Sequence, residues 1–547
     1  MDAEQKRGVP PRRPDGLIKR MSGEYESYLC DESRAVGRAE SISFPRTELE
    51  LRYALTRECA RGARVTVQGG RTGVSAGAVP NGGHILNLSR MDKILGMRKG
   101  EDGEFYVRVQ PGVVLSHLQS AVAAKRFDAS AWGYASRDAL AAFCGTDAYM
   151  FAPDPTERTA TIGGMAACNA SGALCYKYGP TRDHIFALRV MLCDGRSISL
   201  RRGECRATGR HMELRTDDGH TLRFDLPTYR MPDIKNAAGF FAREDMDAID
   251  LFIGSDGTLG ILFEIELALV KRPAEMWSAL CFFGDESDAL RFATECRRGM
   301  PEGPAAVEYL DGASLALLRA AAAEDGRLRV PEMPARRAAA VCVELHGARE
   351  NDALEQLFYV GECLDRTRGD IRDTWVARGS AAAANLRDLR HAVPLSVNRL
   401  IARRKRANPA INKLAADMAV PDGFLHASLM MYRSATAETG PDCAIWGHIG
   451  NNHLHVNLLP RNGADFDRGK ALLAEWARRV TEMGGTISAE HGVGKLKREA
   501  LKIMYGDRHI LEMAALKRVF DPDGRLGAGT MLPVRMFSPS GAGVYIP

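Results

Sequence analysis

The sequence predicts an α+β chain: a glycine-clustered domain in two parts, interrupted by a sheet covered by helices. Three observations point there. The 54 glycines among 547 residues gather in clusters rather than in a repeat. After Lys271-Arg272-Pro273 the clusters stop and strand–helix alternation takes over, which suits a sheet with helices packed on one face. From about residue 485 the glycine-rich texture returns. The expected division is a tail and lead-in (1–39), a first glycine-clustered part (40–272), an inserted domain (273–484) and a returning segment (485–547).

In chain order, Thr47 and Glu50 have capping-box spacing, so a helix follows and Gly62 ends it. A strand over 64–67 runs into the loop Gln68, Gly69, Gly70, Arg71, Thr72, Gly73 and Val74. Strands at 84–88 and 105–109 precede a helix at about 114–124, and the second strand alternates Phe105, Val107 and Val109. A second cluster spans Thr161, Ile162, Gly163, Gly164, Asn169, Ser171 and Gly172. Asp194-Gly195 reads as a tight hairpin turn between strands at 186–193 and 197–200. A third cluster, Gly254, Ser255, Asp256, Gly257, Thr258, Leu259, Gly260, leads into an alternating strand. Beyond residue 273, strands at 278–283 and 339–346 each precede a helix, at about 288–298 and 351–366. Helices and loop are expected over 377–414, then strands over 444–459 and a helix at about 468–483.

Composition removes several classes of function. The charge balance is 74 basic to 69 acidic residues, net +5, which is no nucleic-acid footprint. The twelve cysteines offer no CxxC, iron–sulfur or zinc-ribbon spacing and suit reduced thiols. No long uninterrupted apolar run exists, so no membrane span is expected, and the charged, proline-rich start lacks a signal-peptide core. The expected location is cytoplasmic, with at most a peripheral membrane contact aided by the basic residues 6–20. Neither G-x-G-x-x-G nor the P-loop pattern is present.

Glycine clusters that follow strands bare successive backbone N–H groups, a nest suited to pyrophosphate oxygens. The other chemistry-bearing constellation lies late. His448, His453 and His455 fall within eight residues, and Glu490 and His491 follow beyond a helix, so four of the chain's 13 histidines gather here. Two histidines and a carboxylate form a common divalent-metal set. On a strand, His453 and His455 share one face. Arg390 has the chemistry to clamp a carboxylate, although most arginines are solvated surface charges.

Together these residues resemble the FAD-linked 2-hydroxy-acid dehydrogenases of the vanillyl-alcohol oxidase / p-cresol methylhydroxylase fold, over about residues 40–535. The family includes D-lactate dehydrogenase, the flavin subunit of glycolate oxidase and D-2-hydroxyglutarate dehydrogenase. The resemblance implies a two-part FAD-binding domain with an inserted antiparallel-sheet substrate domain. It implies FAD, held without a covalent link, at residues 68–74, at Asp154, at Thr161, Ile162, Gly163, Gly164, Asn169 and Ser171, at Tyr178 and Gly179, and at Asp256, Gly257, Thr258, Leu259, Gly260 and Ile261. It further implies His448, His455 and Glu490 as ligands of a divalent metal (zinc, manganese or iron), His491 as base, Asn457 as a neighbour of substrate or metal, and Arg390 on the substrate carboxylate. Lys413 lacks the family's spacing to the next aspartate. The family's loop reads His-x-Gly-Asp-Gly-Asn-x-His. Here Asn451 replaces the aspartate and His453 replaces the last asparagine, while both ligand histidines remain.

The reaction so implied is oxidation of a 2-hydroxy acid to the 2-oxo acid, with hydride passing to flavin and electrons leaving to a quinone, a cytochrome or an electron-transfer flavoprotein. A homodimer and a complex with an iron–sulfur subunit are both compatible. Two rivals remain: a non-redox transferase resembling alkyldihydroxyacetonephosphate synthase, and a non-catalytic flavoprotein subunit. The transferases carry a run of histidines where this chain has Ala489-Glu490-His491.

Overall fold

The computed structural model describes residues 16–324, 333, 337–439 and 441–537, so most of the basic tail lies outside the described residues. Local signals formed the expected elements in the first part. Thr47 caps the helix Glu48–Ala60 by accepting from the Glu50 N–H. The strand Val65–Gln68 joins a four-stranded sheet and pairs in parallel with His84–Asn87. Beside it stands a five-stranded antiparallel sheet in the order Ile94–Lys99, Phe105–Val109, Ile261–Ala268, Ile185–Met191, Ser197–Arg201. Its alternating strands bury Phe105, Val107, Val109, Ile265 and Leu267.

The inserted part is one seven-stranded sheet, antiparallel throughout. Its order is Trp375–Arg378, Glu275–Phe283, Ala339–Gly347, Ala306–Asp311, Asp442–Gly447, His453–Leu459, Leu414–Ala419. Helices cover both of its faces rather than the single face expected. Phe292 and Val360, from the helices Glu286–Gly299 and Glu350–Arg366, pack with Val341 and Val343. Leu318, Leu389 and Val393, from Gly312–Glu324 and Ser380–Ala407, pack with Ala340 and Cys342. This explains why all nine residues of Ala339–Gly347 are buried.

The stretch expected as helices and loop is a single helix, Ser380–Ala407, with Pro394 inside it, and then the strand Leu414–Ala419. An apolar stripe of Leu386, Leu389, Val393, Val397 and Ile401 holds the helix on the sheet past the proline.

The returning segment ties the two parts together. Thr486 and Ala489 donate to the Ala419 and Asp417 carbonyls, which adds this segment beside the edge strand. The chain then enters the first glycine loop. The Gly494 N–H donates to Asp256, and the Lys495 ammonium donates to the Ala76 and Gly77 carbonyls. Gly494 has φ +53°, and a Cβ there would lie 2.1 Å from the Ser75 carbonyl oxygen, so only glycine allows this approach. All twelve cysteines are free. Among the described residues, no helix is long and apolar enough to cross a membrane.

Candidate active site

The three glycine clusters meet. Thr161 Oγ1 accepts from the Gly70 N–H at 3.3 Å and the Gly164 N–H at 3.4 Å, joining the first loop to the helix Ile162–Cys168. The Asp256 N–H donates to the Ala167 carbonyl, bringing in the third cluster. A Cβ at Gly69 would lie 2.2 Å from Thr161 Oγ1. Gly69→Ala is therefore expected to push the two loops apart and strip most of the bound flavin, measured as the ratio of 450 to 280 nm absorbance after purification. A variant with full flavin content would show that this contact is dispensable.

Several side chains carried over for cofactor binding are engaged elsewhere. Gln68 braces its own loop: its amide donates to the Tyr28 and Ala78 carbonyls and its oxygen accepts from Asn87. Arg71 lies over the Tyr28 ring, 4.3 Å from its centroid. Asn169 accepts from the Arg182 N–H, Asp154 from the Leu174 N–H and Asp256 from the Gly494 N–H. Ile162, Leu259 and Ile261 are core side chains. At Gln68, Ile162, Leu259 and Ile261 the backbone is what remains to face a ligand, whereas Gly73 stands open and Val74 is exposed. Tyr178 bonds His346 Nδ1 at 2.8 Å, and Gly179 supplies the positive φ that follows it.

The late constellation assembles on one face of the seven-stranded sheet. Cross-strand register sets Asp417 opposite His455 and His455 opposite Trp446. It also sets Glu308 opposite Cys342, two residues from Glu344 on the same face. His448 sits at the turn before the strand His453–Leu459, and the returning segment delivers Glu490 and His491. Glu490 is the hub. Its Oε2 lies 3.3 Å from His448 Nε2, and its Oε1 lies 3.2 Å from His455 Nε2 and 3.5 Å from His491 Nε2. Ser171, expected at the flavin, donates to Glu490 Oε2 at 3.4 Å.

Five further charged partners join them: Lys235, Glu308, Glu344, Asp417 and Lys497. The Lys235 ammonium, 5% exposed, lies 2.7 Å from Glu490 Oε2. Glu308 Oε1 is 2.7 Å from His448 Nδ1, and Glu344 Oε1 accepts from Arg390 Nη2 at 2.7 Å. Asp417 Oδ2 accepts from the Ser488 hydroxyl, the His491 N–H and the Lys497 ammonium. Only an acidic residue inside a largely apolar strand signalled Glu308, Glu344 and Asp417. Nothing local marks Lys235, which lies in a long irregular connection.

The charges organise one another. Burial would raise Glu490 and Asp417, but the groups beside them hold both carboxyls well below their ordinary range: Lys235 and His448 for Glu490, the His491 ring and the Lys497 ammonium for Asp417. Burial likewise opposes the charge on His448, yet the Glu308 carboxylate raises it to about 10. Burial lowers His453 to about 3 and His491 to about 4, so both rings are neutral at ordinary pH. Arg390 is buried and lines a cavity with Asp154, Glu308, His448 and His455. Its Nη1 lies 3.5 Å from Glu308 Oε2, and neither Nη1 nor Nε has a hydrogen-bond partner. Asn457 is buried on the same strand face as His455, and its Oδ1 also lacks a partner. Lys413 is partly exposed, and burial of its ammonium lowers it to about 8.

Residues 39–136 and 133–201 match the FAD binding domain family, and residues 272–531 match the C-terminal domain of FAD linked oxidases. The chain belongs to the FAD-linked oxidases. Among curated relatives, this oxidoreductase is 26% identical to D-lactate dehydrogenase of Anaerostipes hadrus, over 92% of each chain. It is 25% identical to the glycolate oxidase subunit GlcD of Bacillus subtilis, over 90% of this chain and 88% of that one. The fold is that of 4-ethylphenol oxidase from Gulosibacter chungangensis, with a TM-score of 0.63, 16% identity and 95% of both chains covered. The two-part flavin domain around an inserted antiparallel sheet therefore stands as expected.

Proposed function

We propose that this FAD-linked oxidoreductase oxidises a small 2-hydroxy acid to the 2-oxo acid with help from a divalent metal. The observation that supports it most is a buried arginine with unpaired donors on the cavity that His448 and His455 also line. D-lactate and glycolate, in the names of the two relatives, are both 2-hydroxy acids.

The glycine loops fit a flavin nucleotide because their backbone approaches leave no room for side chains at Gly69 and Gly494. The donor set of His448, His455 and Glu490 fits a divalent cation, with the two histidine nitrogens both within 3.3 Å of one carboxylate. When bound, FAD supplies an acceptor for the α-hydrogen as hydride, and the metal supplies Lewis acidity toward the hydroxyl. Arg390 offers Nη1, which makes no hydrogen bond of its own, to the substrate carboxylate while Glu344 holds Nη2. Asp417 Oδ2, 3.3 Å from His491 Nδ1, orients the ring so that Nε2 takes the hydroxyl proton. Asn457 closes the same strand face.

The test is anaerobic addition of a panel of 2-hydroxy acids, with metal analysis of the same sample. One acid should bleach the flavin absorbance. Substrate turnover without bleaching would favour the same-fold transferase, and no response to any acid would favour a non-catalytic subunit. Arg390→Lys is expected to raise KM roughly 10–150-fold, for the loss of about 1.5–3 kcal/mol of charged hydrogen bonding, with a smaller effect on kcat. An unchanged KM would remove Arg390 from substrate binding. The electron acceptor, a quinone, a cytochrome or an electron-transfer flavoprotein, is a separate part of the proposal, as is assembly into a homodimer or with an iron–sulfur subunit.

A further inference from the structure

We infer that His453 is a further protein ligand of the metal, making the donor set three imidazoles and one carboxylate. This rests on the metal-assisted reading above and goes beyond it at a residue outside the implied ligand set.

His453 is fully buried, and neither of its ring nitrogens makes an aligned hydrogen bond. Its Nδ1 lies 3.9 Å from Glu490 Oε2, on the carboxylate that His448 and His455 also face. One ligand atom each from His448, His453, His455 and Glu490 falls within 4.8 Å of the others. The ring centroids lie 4.4 Å from His453 to His455 and 5.4 Å from His453 to His448.

The far side of the ring is supported as a ligand's would be. His453 Nε2 lies 2.8 Å from Asp417 Oδ1, and His448 Nδ1 lies 2.7 Å from Glu308 Oε1. A carboxylate behind an imidazole fixes its tautomer and turns the opposite nitrogen's lone pair inward. A buried histidine serving only as packing has no need of a carboxylate 2.8 Å from one nitrogen and a second carboxylate facing the other. Lys235 occupies Glu490 Oε2, so Oε1 is the oxygen left to complete the set.

A third imidazole moves the site toward zinc or ferrous iron and away from magnesium or manganese, because imidazole suits the former and oxygen donors the latter. On a six-coordinate ion such as ferrous iron it also leaves two positions, the number a 2-hydroxy acid needs to chelate through its hydroxyl and one carboxylate oxygen.

The test uses the full-length flavoprotein loaded with zinc or cobalt(II). X-ray absorption on the parent protein should count three imidazoles, and a count of two would overturn the proposal. His453→Asn and His453→Gln should each lower cobalt affinity by roughly 10–100-fold or more and change the cobalt d–d spectrum, with flavin content unchanged. Unchanged affinity and spectrum in either folded variant would also overturn it. If neither variant folds, the count on the parent protein decides. Failure of the parent to retain any metal would overturn both this inference and the metal-assisted reading, whereas metal held by two imidazoles would leave that reading standing.

Discussion

His491→Ala should lower the rate of flavin reduction by the preferred 2-hydroxy acid about 100–10,000-fold, the range for removing a general base. The structure explains why the loss should be specific. His491 stacks on His455 with centroids 5.4 Å apart, and its backbone carbonyl accepts from the Ser75 hydroxyl, a bond that alanine retains. Flavin content and melting temperature should therefore stay near the parent values. Stopped-flow mixing without oxygen isolates the step, because the flavin colour reports it directly. A variant reduced as fast as the parent would remove His491 from proton transfer. One that has lost its flavin would show that the residue holds the loop instead.

Asp417→Ala should cost about 3–5 kcal/mol of stability, the range for breaking a buried ion pair from one side. Asp417 is 2% exposed and accepts from Ser488, the His491 backbone and Lys497. Alanine would leave the Lys497 ammonium, 19% exposed, without the carboxylate it now meets at 2.6 Å. The carboxyl is held well below its ordinary range, so this stabilisation is complete above about pH 4, the unfolded value, and is lost only as pH falls through the lower folded value. Urea unfolding at neutral pH measures it, and a loss under 1 kcal/mol would mean that Lys497 finds another partner. Asp417→Asn, which can still accept hydrogen bonds, should lose less.

Much of the fold was legible because its signals are local. The Thr47 cap, the alternation of Phe105, Val107 and Val109, and the Asp194-Gly195 turn each act within a few residues. The site was legible only in part. His448, His455, Glu490 and His491 stood out by type and clustering, and they do converge on one carboxylate. Arg390 could not be told from a surface charge, because its burial depends on Glu344 and Glu308, 46 and 82 positions away. Gln68 looked like a ligand contact, yet both its polar atoms are consumed by the loop it shapes, and Asn169 spends its Oδ1 on the Arg182 N–H. A polar side chain beside glycines has both uses, and only its neighbours decide between them.

The sequence by itself determined the parts: glycines where backbones must nearly touch, an inserted strand–helix domain, and a histidine pair spaced to share a strand face. Tertiary structure alone decided which charges meet. Strand register set Asp417 opposite His455, and the packing of a helix on the sheet brought Arg390 to Glu344. A loop with no regular structure carried Lys235 to Glu490. The physical reason is range. Propensity, capping and alternation act over a few residues, whereas a buried charge takes its meaning from partners that only the folded chain brings within 3 or 4 Å.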